Sequence, residues 1–209
     1  MNVSAVIPAY NEEKYINHVI EILLNVKELK EIIIVNDGST DETAQVVKKY
    51  PVNLIELPVN SGKGGAMLKG ATAAKNDYIL FLDADLIGLT LEHVYAMLEG
   101  IKENNYDMVV GIFDSGRKST DLAQVVAPFL SGQRIVKKEH LFCINNLQVA
   151  RFGVEVALTK YAAQNNLRVK EVVLKNLTHV MKEEKLGFVK GFAYRLKMYW
   201  EIAKTVAHS

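Results

Sequence analysis

Asp83 and Asp85 close the apolar run Tyr78 to Leu82, separated only by Ala84. Two carboxylates at i and i+2, leaving a buried strand for a turn, can reach one hard divalent cation, which relieves their mutual repulsion. Such an ion neutralises phosphate oxygens as a Lewis acid and stabilises a departing diphosphate. A solvated turn with an aspartate cap is the competing reading, because Asp is common after strands. Lys63 sits in Asn60-Ser61-Gly62-Lys63-Gly64-Gly65, a glycine-rich loop whose backbone N–H groups can approach a phosphate at the start of a helix. Its spacing is neither a Walker A loop nor the dinucleotide fingerprint, and an ordinary turn also accounts for it. Asp37, in Asn36-Asp37-Gly38-Ser39, offers an acceptor for the N3–H of uracil, with Ser39 and Glu12 as further polar partners. Alternatively, its side chain stabilises its own turn.

These groups act together only if the chain gathers them. From Asn2 to about Gly111 short apolar runs alternate with helix-like segments. Strands are expected at Val3 to Ile7, Ile32 to Val35, Asn53 to Leu57, Tyr78 to Leu82 and Met108 to Val110. Helices are expected from Glu12 to Leu24, from Thr40 or Asp41 as N-cap to Tyr50 before Pro51, from the glycine loop to about Lys75, and from Leu91 to Glu103. This repetition specifies an α/β fold with a mostly parallel central sheet flanked by helices. Ligands of such sheets bind beyond the carboxyl ends of strands. The loops Pro8-Ala9-Tyr10-Asn11-Glu12-Glu13, Asn36 to Ser39, the glycine loop and Asp83-Ala84-Asp85 all fall there.

Composition bounds the rest. The 209 residues carry 25 Lys and Arg against 24 Asp and Glu, a formal charge of +1, which excludes a generally basic nucleic-acid binder. The single cysteine, Cys143, excludes a disulfide framework and a Cys-rich zinc site and favours a reducing compartment. Neither a targeting segment nor an apolar stretch of about 20 residues is found, so a soluble cytoplasmic protein is expected. Beyond Gly111 the pattern loosens: loop from Phe113 to Thr120, a helix from Asp121 to Leu130 broken at Pro128, a return towards the sheet from Ser131 to Val136, a helix from Val154 to Ala163 and a strand from Arg168 to Leu174. One domain spans 1–209, dividing by pattern into 1–111, 112–185 and a C-terminal amphipathic helix over 186–207. That helix aligns Phe188, Phe192, Leu196, Tyr199, Ala203 and Val206. Its stripe suits packing on the domain or on a second subunit, or peripheral contact with the inner face of a membrane.

The four loop motifs, in this order and spacing, resemble the nucleotide-diphospho-sugar half of family-2 glycosyltransferases with the GT-A fold. The resemblance implies that Pro8, Ala9, Tyr10, Glu12, Asp37 and Ser39 bind the nucleoside. It implies that Lys63 approaches the diphosphate beside Asp83 and Ala84, and that Asp83 and Asp85 hold Mg or Mn. Asn36 departs from the pattern, since many relatives have Asp there. Further along, Pro128 to Arg134 and Arg151 to Val156 resemble acceptor-side segments of polyprenyl-phosphate sugar synthases and glucosyl-phosphoglycerate synthases. From these groups follow His179 as a third metal ligand and Arg117 as a contact to an acceptor phosphate; a lone surface histidine and a solvated loop arginine are the plain alternatives. Lys182 and Lys185 would add positive charge nearby.

The Glu-Asp pair with which many inverting relatives deprotonate a sugar hydroxyl is missing, and Glu155 is the surviving acidic candidate. Its alternative is a carboxylate stabilised by a helix N-terminus. Without a base, the acceptor would be a phosphate or carboxylate, already nucleophilic at neutral pH, or the mechanism would be retaining. The implied reaction moves a sugar from a nucleotide-diphospho-sugar, expected to be UDP-linked, to a phosphate-bearing or lipid-phosphate acceptor, with Asp85, Arg117 and Glu155 nearest the chemistry. Rival readings are a sugar-phosphate nucleotidyltransferase and a non-catalytic nucleotide-sugar-binding protein.

Overall fold

The computed structural model describes residues 2–103, 106–113, 131–144 and 154–179. The expected helix over 121–130, Arg117, Lys182, Lys185 and the amphipathic segment from 186 onward lie outside them. Seven strands form one sheet in the order β3-β2-β1-β4-β7-β6-β8. They are β1 (Val3–Ala9), β2 (Leu29–Asn36), β3 (Asn53–Glu56), β4 (Tyr78–Phe81), β6 (Met108–Phe113), β7 (Arg134–Lys137) and β8 (Val169–Leu174). β1 pairs parallel with β2 and β4, and β6 pairs parallel with β8. Only β7 runs against its neighbours, wedged antiparallel between β4 and β6.

The apolar runs explain this arrangement. Val3, Ala5, Val6 and Ile7 of β1 and Ile79, Leu80 and Phe81 of β4 are buried irrespective of which face they point to, as central strands covered on both sides must be. One covering layer holds α1 (Ile16–Leu24), α2 (Thr43–Val47) and α4 (Leu91–Lys102). α1 turns Ile16, Val19, Ile20 and Leu23 inward at helical spacing. The other layer holds α3 (Gly62–Ala73), α5 (Lys138–Phe142) and α6 (Val154–Gln164).

Small residues set how closely α3 lies on the sheet. Its buried face is Gly64, Ala66, Met67, Gly70 and Ala71. A Cβ on Gly70 would stand 2.3 Å from Val6 Cγ1 and 3.0 Å from Val35 Cγ2. Both neighbours are β-branched and stiff.

Two features escape sequence periodicity. β5 (Leu86–Ile87) and β9 (Thr178–His179) form a separate antiparallel pair, and α5 has five residues; both are too short to carry a repeat. α1 and α2 also start later than expected, at Ile16 and Thr43, because side chains of the preceding loops bond one another first. Gly70→Ala should lower stability by about 1–3 kcal/mol through overpacking, read as a lower urea midpoint with an unchanged slope.

Candidate functional site

The polar loops converge at the carboxyl ends of β1, β2 and β4, and their side chains lace them together. Asn11, with φ 57, donates its N–H to Ser39 Oγ (2.9 Å) and accepts at Oδ1 from Thr40 N–H (2.8 Å). Glu12 N–H bonds Thr43 Oγ1 (2.8 Å), and Glu42 N–H bonds Glu13 Oε2 (2.9 Å). Asp41 takes Thr43 N–H at 3.0 Å and Glu13 N–H at 3.2 Å. Asn36 accepts from Ser39 N–H (3.2 Å), so an amide serves this turn. Ala9 and Pro8 end β1 and pair with Asn36 and Val35, while Tyr10 stands 45% exposed above them.

Asp37 is 3% exposed and turns its carboxylate to the start of α3. Oδ1 accepts from Ser61 N–H and Ser61 Oγ, both at 2.7 Å, and Oδ2 accepts from Gly62 N–H at 2.9 Å. A carboxylate from the end of β2 therefore satisfies backbone donors that α3 leaves without intrahelical partners. The expected glycine loop is accordingly the first turn of a helix: Lys63, Gly64 and Gly65 lie within α3. Gly38, at φ +71, leaves room for the segment that feeds α3, since a Cβ there would lie 2.8 Å from Asn60 N. Val59, 71% exposed, borders this corner; sequence reasoning gave it no role, a lone apolar loop residue being no signal.

Starting α3 at Gly62 carries the Lys63 side chain across to β4. Its Nζ lies 2.6 Å from Asp83 Oδ1 and 2.6 Å from Glu155 Oε1. Gln133 clamps Asp83 from the other side, donating Nε2–H to Oδ2 (3.1 Å) and accepting Asp83 N–H at Oε1 (3.2 Å). The neighbouring Gly132 is required for closeness: a Cβ there would stand 2.5 Å from Lys63 Nζ and 2.7 Å from Asp83 Oδ2. Burial disfavours the charged Lys63, but Asp83 and Glu155 outweigh it and hold the ammonium above its ordinary value. Burial likewise opposes ionisation of Asp83; Lys63, Gln133 and His179 reverse this and bring it below 3.8. Behind Glu155, Arg134 is 1% exposed, donating to Ser131 O (2.9 Å) and Thr159 Oγ1 (3.0 Å). Burial pulls its pKa down to about 10, with Glu155 acting in the opposite sense.

Thus Lys63, Asp83 and Glu155, drawn from three distant stretches of sequence, come together. His179 joins through the second sheet, where it pairs with Leu86, the residue after Asp85; Ala84 between the aspartates is buried. Among the described residues no three His, Cys, Asp or Glu side chains are gathered closely enough to hold a metal ion, and Asp83 faces Lys63. The donor types nevertheless fit: carboxylates at 83 and 85 and an imidazole at 179 suit Mg or Mn. Gly132, Gln133 and Arg134 fall in the Pro128 to Arg134 segment that resembles an acceptor-side segment, but none was singled out as a site residue; their place beside Asp83 follows from β7 pairing with β4. A groove of about 540 Å³, lined by Leu29, Asn53 and Lys75, lies at the amino ends of β2 and β3, the opposite edge of the sheet.

A family model described as glycosyl transferase family 2 matches residues 4–159. The chain is 38% identical over 127 residues to a dolichyl-phosphate beta-glucosyltransferase of Trichomonas vaginalis, covering 52% of this chain and 39% of that protein. It is 36% identical over 107 residues to a poly-beta-1,6-N-acetyl-D-glucosamine synthase of Staphylococcus aureus, covering 49% of this chain and 26% of that one. The chain therefore spans well under half the length of these curated relatives. Among solved structures, glucosyl-3-phosphoglycerate synthase of Mycobacterium tuberculosis, crystallised with Mn2+, UDP and glucosyl-3-phosphoglycerate, superposes with a TM-score of 0.70 at 25% identity, over 86% of this chain and 72% of that one.

The Asp83 carboxylate sets a pH signature. Its folded pKa lies below 3.8, so its contribution is complete above that value and disappears as pH falls through the folded pKa. Asp83→Asn should cost about 1.5–3 kcal/mol at neutral pH, the scale of a hydrogen bond to a charged group, with Lys63–Glu155 retained. Urea titrations at successively lower pH should show the difference between the two proteins' stabilities shrinking below pH 3.8.

Proposed function

The chain belongs to glycosyl transferase family 2, and on that premise we propose that it moves a glycosyl group from a UDP-sugar to a phosphate-bearing acceptor, with Mg or Mn. The observation that carries this reading is the Lys63–Asp83–Glu155 cluster at the carboxyl-end rim, with Asp37 anchoring the helix that bears the lysine. The M. tuberculosis synthase, named for a phosphoglycerate acceptor and crystallised with UDP and Mn2+, supports donor, cation and acceptor class alike.

In this reading Tyr10, Val59 and the backbone around Pro8, Ala9, Glu12 and Ser39 frame the nucleoside. Asp37 shapes that pocket by fixing the start of α3, and the one lone pair left on Oδ2 can serve a base N–H. Asp83, Asp85 and His179 would hold the cation, which when bound supplies positive charge to the leaving diphosphate. Lys63, in the first turn of α3, adds an ammonium and a helix N-terminus to the same phosphates. Glu155 stands 8% exposed on the acceptor side, where it can orient or deprotonate an acceptor hydroxyl. A phosphate or carboxylate nucleophile would need only orientation, for which Arg117, Lys182 and Lys185 supply the cations.

A lipid phosphate is the second acceptor to consider, on the strength of the dolichyl-phosphate relative. Among the described residues no helix is long and apolar enough to cross a membrane. The sequence pattern of 186–207 suits peripheral contact with the membrane's inner face, and the same stripe would otherwise serve a homodimer.

Turnover with UDP-hexoses, Mn2+ and separate phosphoglycerate and polyprenyl-phosphate acceptors should release UDP and no pyrophosphate. Asp85→Asn should reduce metal-dependent UDP release at least about 100-fold, the usual scale for losing one group that stabilises developing charge. Pyrophosphate as product would turn the reading to nucleotidyl transfer. Tight UDP-sugar binding without turnover on any acceptor would turn it to a sensor.

A further inference from the structure

Asp83 meets a cation already built into the chain. Its Oδ1 receives the Lys63 ammonium at 2.6 Å, while Oδ2 receives Gln133 Nε2–H at 3.1 Å and the backbone N–H is tied to Gln133 Oε1. With both ends of the aspartate clamped, the carboxylate cannot swing to present a different oxygen. Gly132 closes the remaining side, its absent side chain leaving a space that Lys63 Nζ and both Asp83 oxygens fill.

We propose that Lys63 and the divalent cation are alternative occupants of Asp83 Oδ1, so that the cation binds well only when a nucleotide diphosphate draws Lys63 away. The inference rests on the nucleotide-sugar reading above and specifies its order. A divalent ion and an ammonium on the same oxygen repel one another twice as strongly as two unit charges at that distance. A diphosphate relieves this conflict because its oxygens bind both cations.

Lys63 is equipped for the move. Its side chain remains 27% exposed, on a flexible four-carbon stem rooted in the first turn of α3. When it leaves, the nearest fixed cation to Glu155 is the buried Arg134, which feels the Glu155 charge; its hydrogen bonds run through Thr159 Oγ1 to the Glu155 backbone carbonyl, so the carboxylate itself is left open to a new partner. Freed from Lys63, the Glu155 carboxylate becomes available to acceptor or sugar hydroxyls only once the donor is seated. The same exchange would therefore restrain reaction before the substrates are in place. Nucleotide and metal are then positively coupled through a side chain of the protein as well as through direct coordination.

Calorimetric titration of Mn2+ into the nucleotide-free chain tests this directly. Lys63→Met should bind Mn2+ at least about tenfold more tightly than the unsubstituted chain, with Asp83→Asn abolishing that gain. Lys63→Gln should shift affinity in the same direction and serves if the Met variant fails to fold. Equal Mn2+ affinity for the unsubstituted chain and a folded Lys63 variant, both without UDP, would overturn the exchange. Failure of the unsubstituted chain to bind UDP at saturating Mn2+ would instead remove the nucleotide-sugar reading on which it rests.

Discussion

A single ammonium held between two carboxylates organises the functional end of this molecule. Lys63 comes from α3, Asp83 from the end of β4 and Glu155 from α6. α3 and α6 lie in the same covering layer, and β4 is the strand beneath the rim. Without the lysine, two acidic groups would face one another in a partly desolvated corner, where an unpaired charge is costly. Without Asp83, Lys63 would still pair with Glu155 but would no longer be tied to the loop that carries the second aspartate. The cluster thus joins Lys63 and Asp83, from the first half of the chain, to Glu155 in the second.

That cluster depends on a chain of local decisions made elsewhere. Asp37 sits at the end of β2 because the β-branched run Ile32 to Val35 is drawn into the sheet. Its carboxylate begins α3 at Gly62 by satisfying the first backbone donors. Gly38 lets the preceding segment come within reach, and Gly70 lets α3 settle on Val6. Gly132 then leaves the space into which Lys63 extends. Each of these glycines is needed because another group occupies the volume a side chain would take.

Much of this was legible in the sequence. The parallel sheet followed from buried β-branched runs separated by amphipathic segments, and the four rim loops followed from their position after those runs. Lys63, Asp83 and Glu155 were each identifiable as charged residues at loop ends or helix starts. Their mutual contact was not, because it depends on β7 entering antiparallel beside β4, and four residues with no alternation of their own give no sign of that. Gln133 and Arg134 lay in a segment that resembled an acceptor-side one, but their place beside the cluster was hidden for the same reason. The start of α3 was misplaced because three glycines within four residues, Gly62, Gly64 and Gly65, read as a loop by propensity, whereas the Asp37 cap that overrides propensity comes from a different strand.

The proposed exchange would reconcile a metal-binding sequence pattern with a structure in which its first aspartate is ion-paired. A nucleotide-sugar site must accommodate the large negative charge of a diphosphate, yet remain folded when that charge is absent. Two acidic ligands left bare would destabilise the free protein; two permanent cations would bind phosphate indiscriminately. A lysine on a flexible stem can satisfy the carboxylate in one state and the phosphates in the other. The small-residue face of α3 and the clamp by Gln133 hold the two ends of that exchange at fixed positions, leaving the Lys63 stem as the part that must move.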